Sequence, residues 1–133
     1  MTQVASSTVY DALGGESAVY RLAQRFYELM DELPEAHGLR QIHPETLDGS
    51  TQTLFEFLSG WFGGPSLYIE KHGHPRLRMR HFPYAIDETK RNEWMLCMRL
   101  ALTELVADDH LRGALVETFS QMADHMINTS ASH

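Results

Sequence analysis

The chain has one cysteine, Cys97, in 133 residues. An internal disulfide is therefore excluded, and a reducing, cytoplasmic setting is expected. No apolar run approaches the ~20 residues that a membrane span needs, so no membrane partner is expected. Residues 1–8 are short and polar and predict no export signal. Positive charge is scarce: 11 Lys and Arg face 18 Asp and Glu, a formal net charge of −7. With no basic stripe interleaved with aromatics, nucleic acid is not an expected partner. Sustained period-two alternation with hairpin turns is missing, which argues against a sheet. No catalytic triad, phosphate loop, paired carboxylate or dinucleotide fingerprint stands out.

What remains is a helical pattern. The 43% hydrophobic content is enough for a core without disulfide or metal staples. One domain over 1–133 is expected, with frayed tails at 1–8 and 129–133. Val19, Leu22, Phe26, Met30 and Leu33 recur at helical spacing and predict a helix over Glu16–Glu32, ended by Pro34. Leu47, Leu54, Leu58 and Trp61 predict a second, starting after Asp48 and stopping at Gly63-Gly64-Pro65. Trp94, Met98, Ala101 and Leu105 mark a third over 87–106, apolar on most sides and so expected to be central. Leu111, Leu115, Phe119, Met122 and Met126 mark a fourth. Short helical pieces are expected at 35–42 and 75–82, and 63–75 reads as a long loop of the kind usually tied to a ligand. Periodicity alone gives an all-α domain.

The eight histidines are a mild sign of metal or proton chemistry. His81 has the most informative surroundings. Pro75 suits the first turn of a helix and Pro83 limits its continuation, leaving about two turns with His81 near the end. A helix that short needs an external hold, which an iron–imidazole bond would supply. A neutral imidazole can ligate through one nitrogen while the other donates to a backbone carbonyl one turn earlier. Arg80, and less directly Arg76 and Arg78, could pair with haem propionates. On spacing alone, His81 reads first as a helix-end histidine interacting with the macrodipole. Without a Cys-x-x-Cys-His motif, any haem is held non-covalently. His72-Gly73-His74 reads as a solvated loop, His37, His110, His125 and His133 as surface or helix-end residues, and Cys97 as a packed helix residue.

Several segments carry a resemblance in the same order along the chain. Arg78-Met79-Arg80-His81-Phe82-Pro83-Tyr84 resembles the proximal segment of group II truncated haemoglobins. The stretch from Phe57 through Gly63-Gly64-Pro65 to Tyr68 resembles their helix E end and following loop. Trp94-Met95-Leu96-Cys97-Met98 resembles their helix G tryptophan segment. The pairs Gly14-Gly15 and Gly63-Gly64 sit where that family places glycine pairs, and the likeness runs from about Tyr10 to Asn128. It implies a truncated globin, a two-over-two helical sandwich enclosing haem b, with His81 as proximal ligand. It implies distal hydrogen bonding by Tyr27 and Trp94, and a distal pocket with Phe26, Ser50 and Leu54. The haem contacts it implies are Arg80, Tyr68, Leu77, Tyr84, Phe57 and Met98. Without the resemblance, Tyr27 reads first as an ordinary buried tyrosine, and Trp94 is equally core filling.

His43 departs from the family pattern, standing at the corner position where phenylalanine or tyrosine is usual. The tyrosine's contact with the ligand would pass to its imidazole, so His43 joins Tyr27 and Trp94 as a distal ligand-stabilising residue. A neutral imidazole donates or accepts according to tautomer, and only donates when protonated; it titrates near working pH. Direct ligation of iron by His43 or deprotonated Tyr27 when no gas is bound stays open, as does a plain surface histidine. The function implied is reversible binding of O₂, CO and NO. Several donors near bound O₂, which carries partial negative charge, slow its escape. The alternative is a haem redox enzyme for NO dioxygenation or peroxide detoxification, which needs an external reductase. A haem-free interaction module is the third reading. Both a monomer and a homodimer are compatible with the sequence.

Overall fold

The computed structural model describes residues 8–74 and 86–127. All regular structure among them is helical: α1 (Val9–Leu13), α2 (Glu16–Glu32), a 3-10 turn (Pro34–Ala36), α3 (His37–Gln41), α4 (Asp48–Trp61), α5 (Leu67–His72), α6 (Glu88–Leu105) and α7 (Asp109–Met126). The four long helices are those the apolar repeats predict. Their starts follow local chemistry: Asp87 caps α6 by accepting from Lys90 N, and Asp108 caps α7 by accepting from Leu111 N, each at 2.9 Å. The expected piece at 35–42 is the 3-10 turn plus α3. Two elements depart from the sequence reading. α1 carries no repeat long enough to see, and α5 lies inside the stretch read as loop. The expected helix at 75–82 lies outside the described residues, as do most of both expected tails.

The chain divides into two compact units. Over the described residues the first holds 8–24 and 48–74, the second 25–47 and 86–127; α2 contributes to both.

In the first unit, Thr8 caps α1 by accepting from Asp11 N at 3.1 Å, and Tyr10 N donates to Phe62 O at 2.9 Å, tying α1 to the end of α4. α4 stops in a turn where Gly64 N donates to Ser59 O at 2.8 Å and Gly63 takes φ 93°. Both glycines are also needed for space. A Cβ on Gly63 would lie 2.9 Å from the Thr8 side chain, and one on Gly64 would overlap the Tyr10 ring. The fully buried Ser59 donates to Pro65 O at 2.8 Å, holding the chain as it turns into α5. α5 then packs on α4.

In the second unit, α6 and α7 pack together, and α6 also carries the 3-10 turn and α3. α6 buries Met95, Cys97, Met98, Ala101 and Leu102, while Leu100 and Leu105 are exposed, so it is central on one broad face and not all round. The Arg25 guanidinium grips Glu104 through Nε at 2.6 Å and Nη2 at 3.1 Å, a two-pronged pair joining α2 to α6. Arg91 Nη1 reaches Asp124 of α7 at 3.1 Å.

Gly64→Ala is expected to lower the unfolding free energy by about 1–3 kcal/mol through the forced Tyr10 shift. Gly113→Ala, exposed within α7 with open space around the added Cβ, is expected to raise it by about 1 kcal/mol. Urea unfolding of the two variants checks both; equal shifts would remove the packing role given to Tyr10.

Candidate functional site

The second unit gathers its aromatic residues around Phe26. That side chain, on the later half of α2, has no exposed surface. Its ring meets Tyr27 nearly edge-on, with centroids 4.9 Å apart, and Trp94 of α6 at 5.0 Å. Trp94 leans in turn on Phe119 of α7 at 5.7 Å, and Tyr27 meets the His43 ring edge-on at 5.7 Å. Tyr27, His43 and Trp94, three residues singled out from sequence, thus belong to one cluster within this unit.

The polar ends of the cluster differ in kind. Tyr27 and Trp94 are half-buried, and neither the phenol O–H nor the indole N–H has a hydrogen-bond acceptor among the described residues. Desolvation pushes the Tyr27 hydroxyl above the ordinary tyrosine range, so it keeps its proton and acts as a donor. His43 is held differently. Its Nδ1 lies 2.9 Å from Leu39 O. A carbonyl only accepts, so Nδ1 carries the proton and neutral His43 offers an acceptor at Nε2. The backbone beyond is pinned by Arg40, which pairs with Asp31 at 2.9 Å and donates to Pro44 O at 2.8 Å and Glu45 O at 2.7 Å.

Other candidates fall elsewhere. Met98 is fully buried on α6. In the first unit, Ser50 and Leu54 are half-buried one turn apart on α4. Phe57 meets Tyr68 at right angles at 6.3 Å and stacks on Trp61 at 5.8 Å. These three rings, with Gly60, Ser66 and Ile69, line a cleft of about 270 Å³. His81, Arg80, Leu77 and Tyr84 lie outside the described residues. Cys97 is buried, with its thiol pushed up to about 11 by desolvation first and by Glu93 second, which makes it a poor nucleophile.

Glu56 is a residue the sequence reading passes over. Its side chain is buried on α4 and accepts from Gln52 Nε2 at 3.0 Å, Lys71 Nζ at 3.1 Å and His72 Nε2 at 3.2 Å. His72 is exposed, but it is the last residue of α5 rather than part of a loop, and it helps to fasten that helix. Tyr68 sits on the same short helix, 4.6 Å from the His72 ring. The available signal was a lone carboxylate inside the apolar run from Leu54 to Leu58.

A family model described as bacterial-like globin matches residues 8–128. The chain is 34% identical over 119 residues to the group 2 truncated hemoglobin YjbI of Bacillus subtilis, covering 90% of this chain and 87% of that one. The solved structure of a cold-adapted truncated hemoglobin from the Antarctic marine bacterium Pseudoalteromonas haloplanktis is similar with TM-score 0.91 and 47% identity, over 92% of this chain and 99% of that chain. The group II 2-on-2 hemoglobin of Agrobacterium tumefaciens is similar with TM-score 0.92 and 44% identity, over 96% and 99%. These matches define a globin, a haem-binding protein for small gas ligands such as O₂. The chain belongs to the bacterial-like globin family, as a group II truncated haemoglobin with the 2-on-2 fold.

The Tyr27 and Trp94 tips are not among the fully buried unpaired polar atoms, so they face accessible space. With no acceptor among the described residues, both donors are open to a ligand that enters it, which is compatible with a gas on a haem. Among the described residues there is no cluster of histidine, cysteine and carboxylates for a bare metal ion, and no helix long and apolar enough to cross a membrane.

Burial raises the Glu56 value, but the hydrogen bonds from Gln52, Lys71 and His72 outweigh it and hold the carboxyl below its ordinary range. A depressed folded-state value gives stability that is present above the unfolded value and lost as pH falls through the folded one. Glu56→Gln is thus expected to lower stability at about pH 7 and to flatten the acid limb of the stability curve below the ordinary glutamate value of about 4.3. Urea midpoints across that range check it; a variant with an unaltered acid limb would contradict the assignment.

Proposed function

We propose that the chain binds O₂, and also CO and NO, at a non-covalent haem b held by His81, with Tyr27 and Trp94 donating hydrogen bonds to the gas. The observation that carries this reading is the pair of half-buried donors, phenol and indole, that flank Phe26 without a protein acceptor among the described residues. Haem supplies the iron to which a diatomic gas binds. Everything else falls to the chain. Tyr27 stays protonated because its surroundings disfavour the phenolate, so it gives a hydrogen bond at any physiological pH. Trp94 Nε1 can only donate. His43, edge-on to Tyr27 and bonded through Nδ1 to Leu39 O, is the third distal ligand-stabilising residue in this reading. Ser50 and Leu54 would be the further distal-pocket residues by the family resemblance. Arg80 would pair with the propionates, and Leu77, Tyr84, Tyr68, Phe57 and Met98 would contact the haem.

Two donors slow gas release, which favours storage or O₂ chemistry over transport. We read 1–133 as one globin domain working in the cytoplasm, a reading supported by the family match over 8–128.

The test has two arms. His81→Ala is expected to abolish stable haem incorporation or the ferrous histidine-ligated spectrum; normal haem content and spectrum would reject His81. Tyr27→Phe and Trp94→Phe, which keep an aromatic ring against Phe26, are each expected to raise the O₂ dissociation rate by about tenfold or more, the worth of one charge-assisted hydrogen bond. Stopped-flow dissociation measures this, and wild-type rates in both variants would reject the distal assignment.

A further inference from the structure

α3 has five residues and no cap of its own: Ala36 stands at the N-cap and offers no side-chain acceptor. A helix that short leaves its first N–H groups without intrahelical partners. One of them is satisfied from far along the chain. Leu39 N donates to Glu93 Oε1 of α6 at 2.7 Å. Gly38 makes this approach possible, since a Cβ there would stand 3.2 and 3.3 Å from the two carboxylate oxygens. Leu39 is itself buried, at 4% exposure, and its carbonyl accepts the hydrogen bond from His43 Nδ1 at 2.9 Å. A single residue therefore connects Glu93 on its N–H side with His43 on its C=O side. Glu93 also immediately precedes Trp94, so one turn of α6 carries both a cluster member and the anchor of α3.

We propose that Glu93 is a positioning residue of the distal site: by capping α3 from α6 it fixes the Leu39 carbonyl, and through it the tautomer and orientation of the His43 ring beside Tyr27. The carboxylate acts as a hydrogen-bond acceptor here, and its charge is secondary. This rests on the reading of His43 as a distal-site residue, and the two fail separately in the test below.

The experiment uses the haem-loaded full chain in its ferrous CO form, labelled with ¹⁵N-histidine. Long-range proton–nitrogen spectra report the His43 tautomer, and infrared spectra report the CO stretch. Wild type is expected to show the Nδ1–H form and a narrow CO band. Glu93→Ala is expected to cut the ratio of Nδ1–H to Nε2–H form roughly fivefold and to broaden or split the CO band, as loss of about one hydrogen bond implies. Glu93→Gln keeps an acceptor oxygen and is expected to restore both signals. Gly38→Ala leaves Glu93 in place but crowds its carboxylate, and is expected to give a smaller shift in the same direction; it serves if Glu93→Ala does not fold. An unchanged His43 tautomer in Glu93→Ala, or in Gly38→Ala where the former does not fold, would overturn the proposal. Failure of Glu93→Gln to restore the signals would overturn the acceptor role. A tautomer that shifts while His43→Phe leaves the CO band unaltered would instead keep Glu93 as the positioner of His43 and reject the distal reading of His43.

Discussion

A phenylalanine with no exposed surface cannot turn without displacing its neighbours, and Phe26 has aromatic neighbours on two sides. Tyr27 sits beside it on α2, Trp94 reaches it from α6, and Phe119 backs Trp94 from α7. The ring is therefore the fixed point from which two hydrogen-bond donors are hung. Their apolar bodies are held by packing, while their polar tips stay without acceptors among the described residues. That combination of rigid placement and an unmet donor is what the proposed gas-binding role draws on, and globin family membership supplies the haem.

Polar contacts play a narrower part, and they hold pieces too short to hold themselves. α3 and α5 have five and six residues. Neither makes enough internal hydrogen bonds to persist alone. Each is fastened by a carboxylate from a long helix: α3 by Glu93, and α5 by Glu56 through Lys71 and His72. Arg40 does similar work for the chain beyond α3 by binding two backbone carbonyls. Each anchor sits near a residue of functional interest, His43 in one unit and Tyr68 in the other.

The long helices were legible because each spans enough turns for its apolar stripe to repeat. α2 agrees with its reading at both ends, Pro34 marking the stop. α1 and α5 were not legible. At five and six residues they have no stripe to read, and their reasons for existing are distant: Phe62 O for α1, Glu56 for α5. Trp61 and Leu105, both expected on buried stripes, are exposed at 37% each, because periodicity identifies a helix face without saying where its cover ends.

From the sequence itself came the all-α class, the long helices and, through ordered motifs, the family and its candidate residues Tyr27, Trp94 and His43. Those follow from side-chain type and spacing, which are local. The tautomer of His43 was open at that level, since an imidazole alone favours no particular partner. The tertiary structure decided it by placing the Leu39 carbonyl at Nδ1. It likewise brought in Glu93, 54 residues away from Leu39, and revealed the lack of acceptors around Tyr27 and Trp94 among the described residues. A hydrogen bond exists only where two groups are brought within reach, and for groups so far apart in the chain only the folded packing does that.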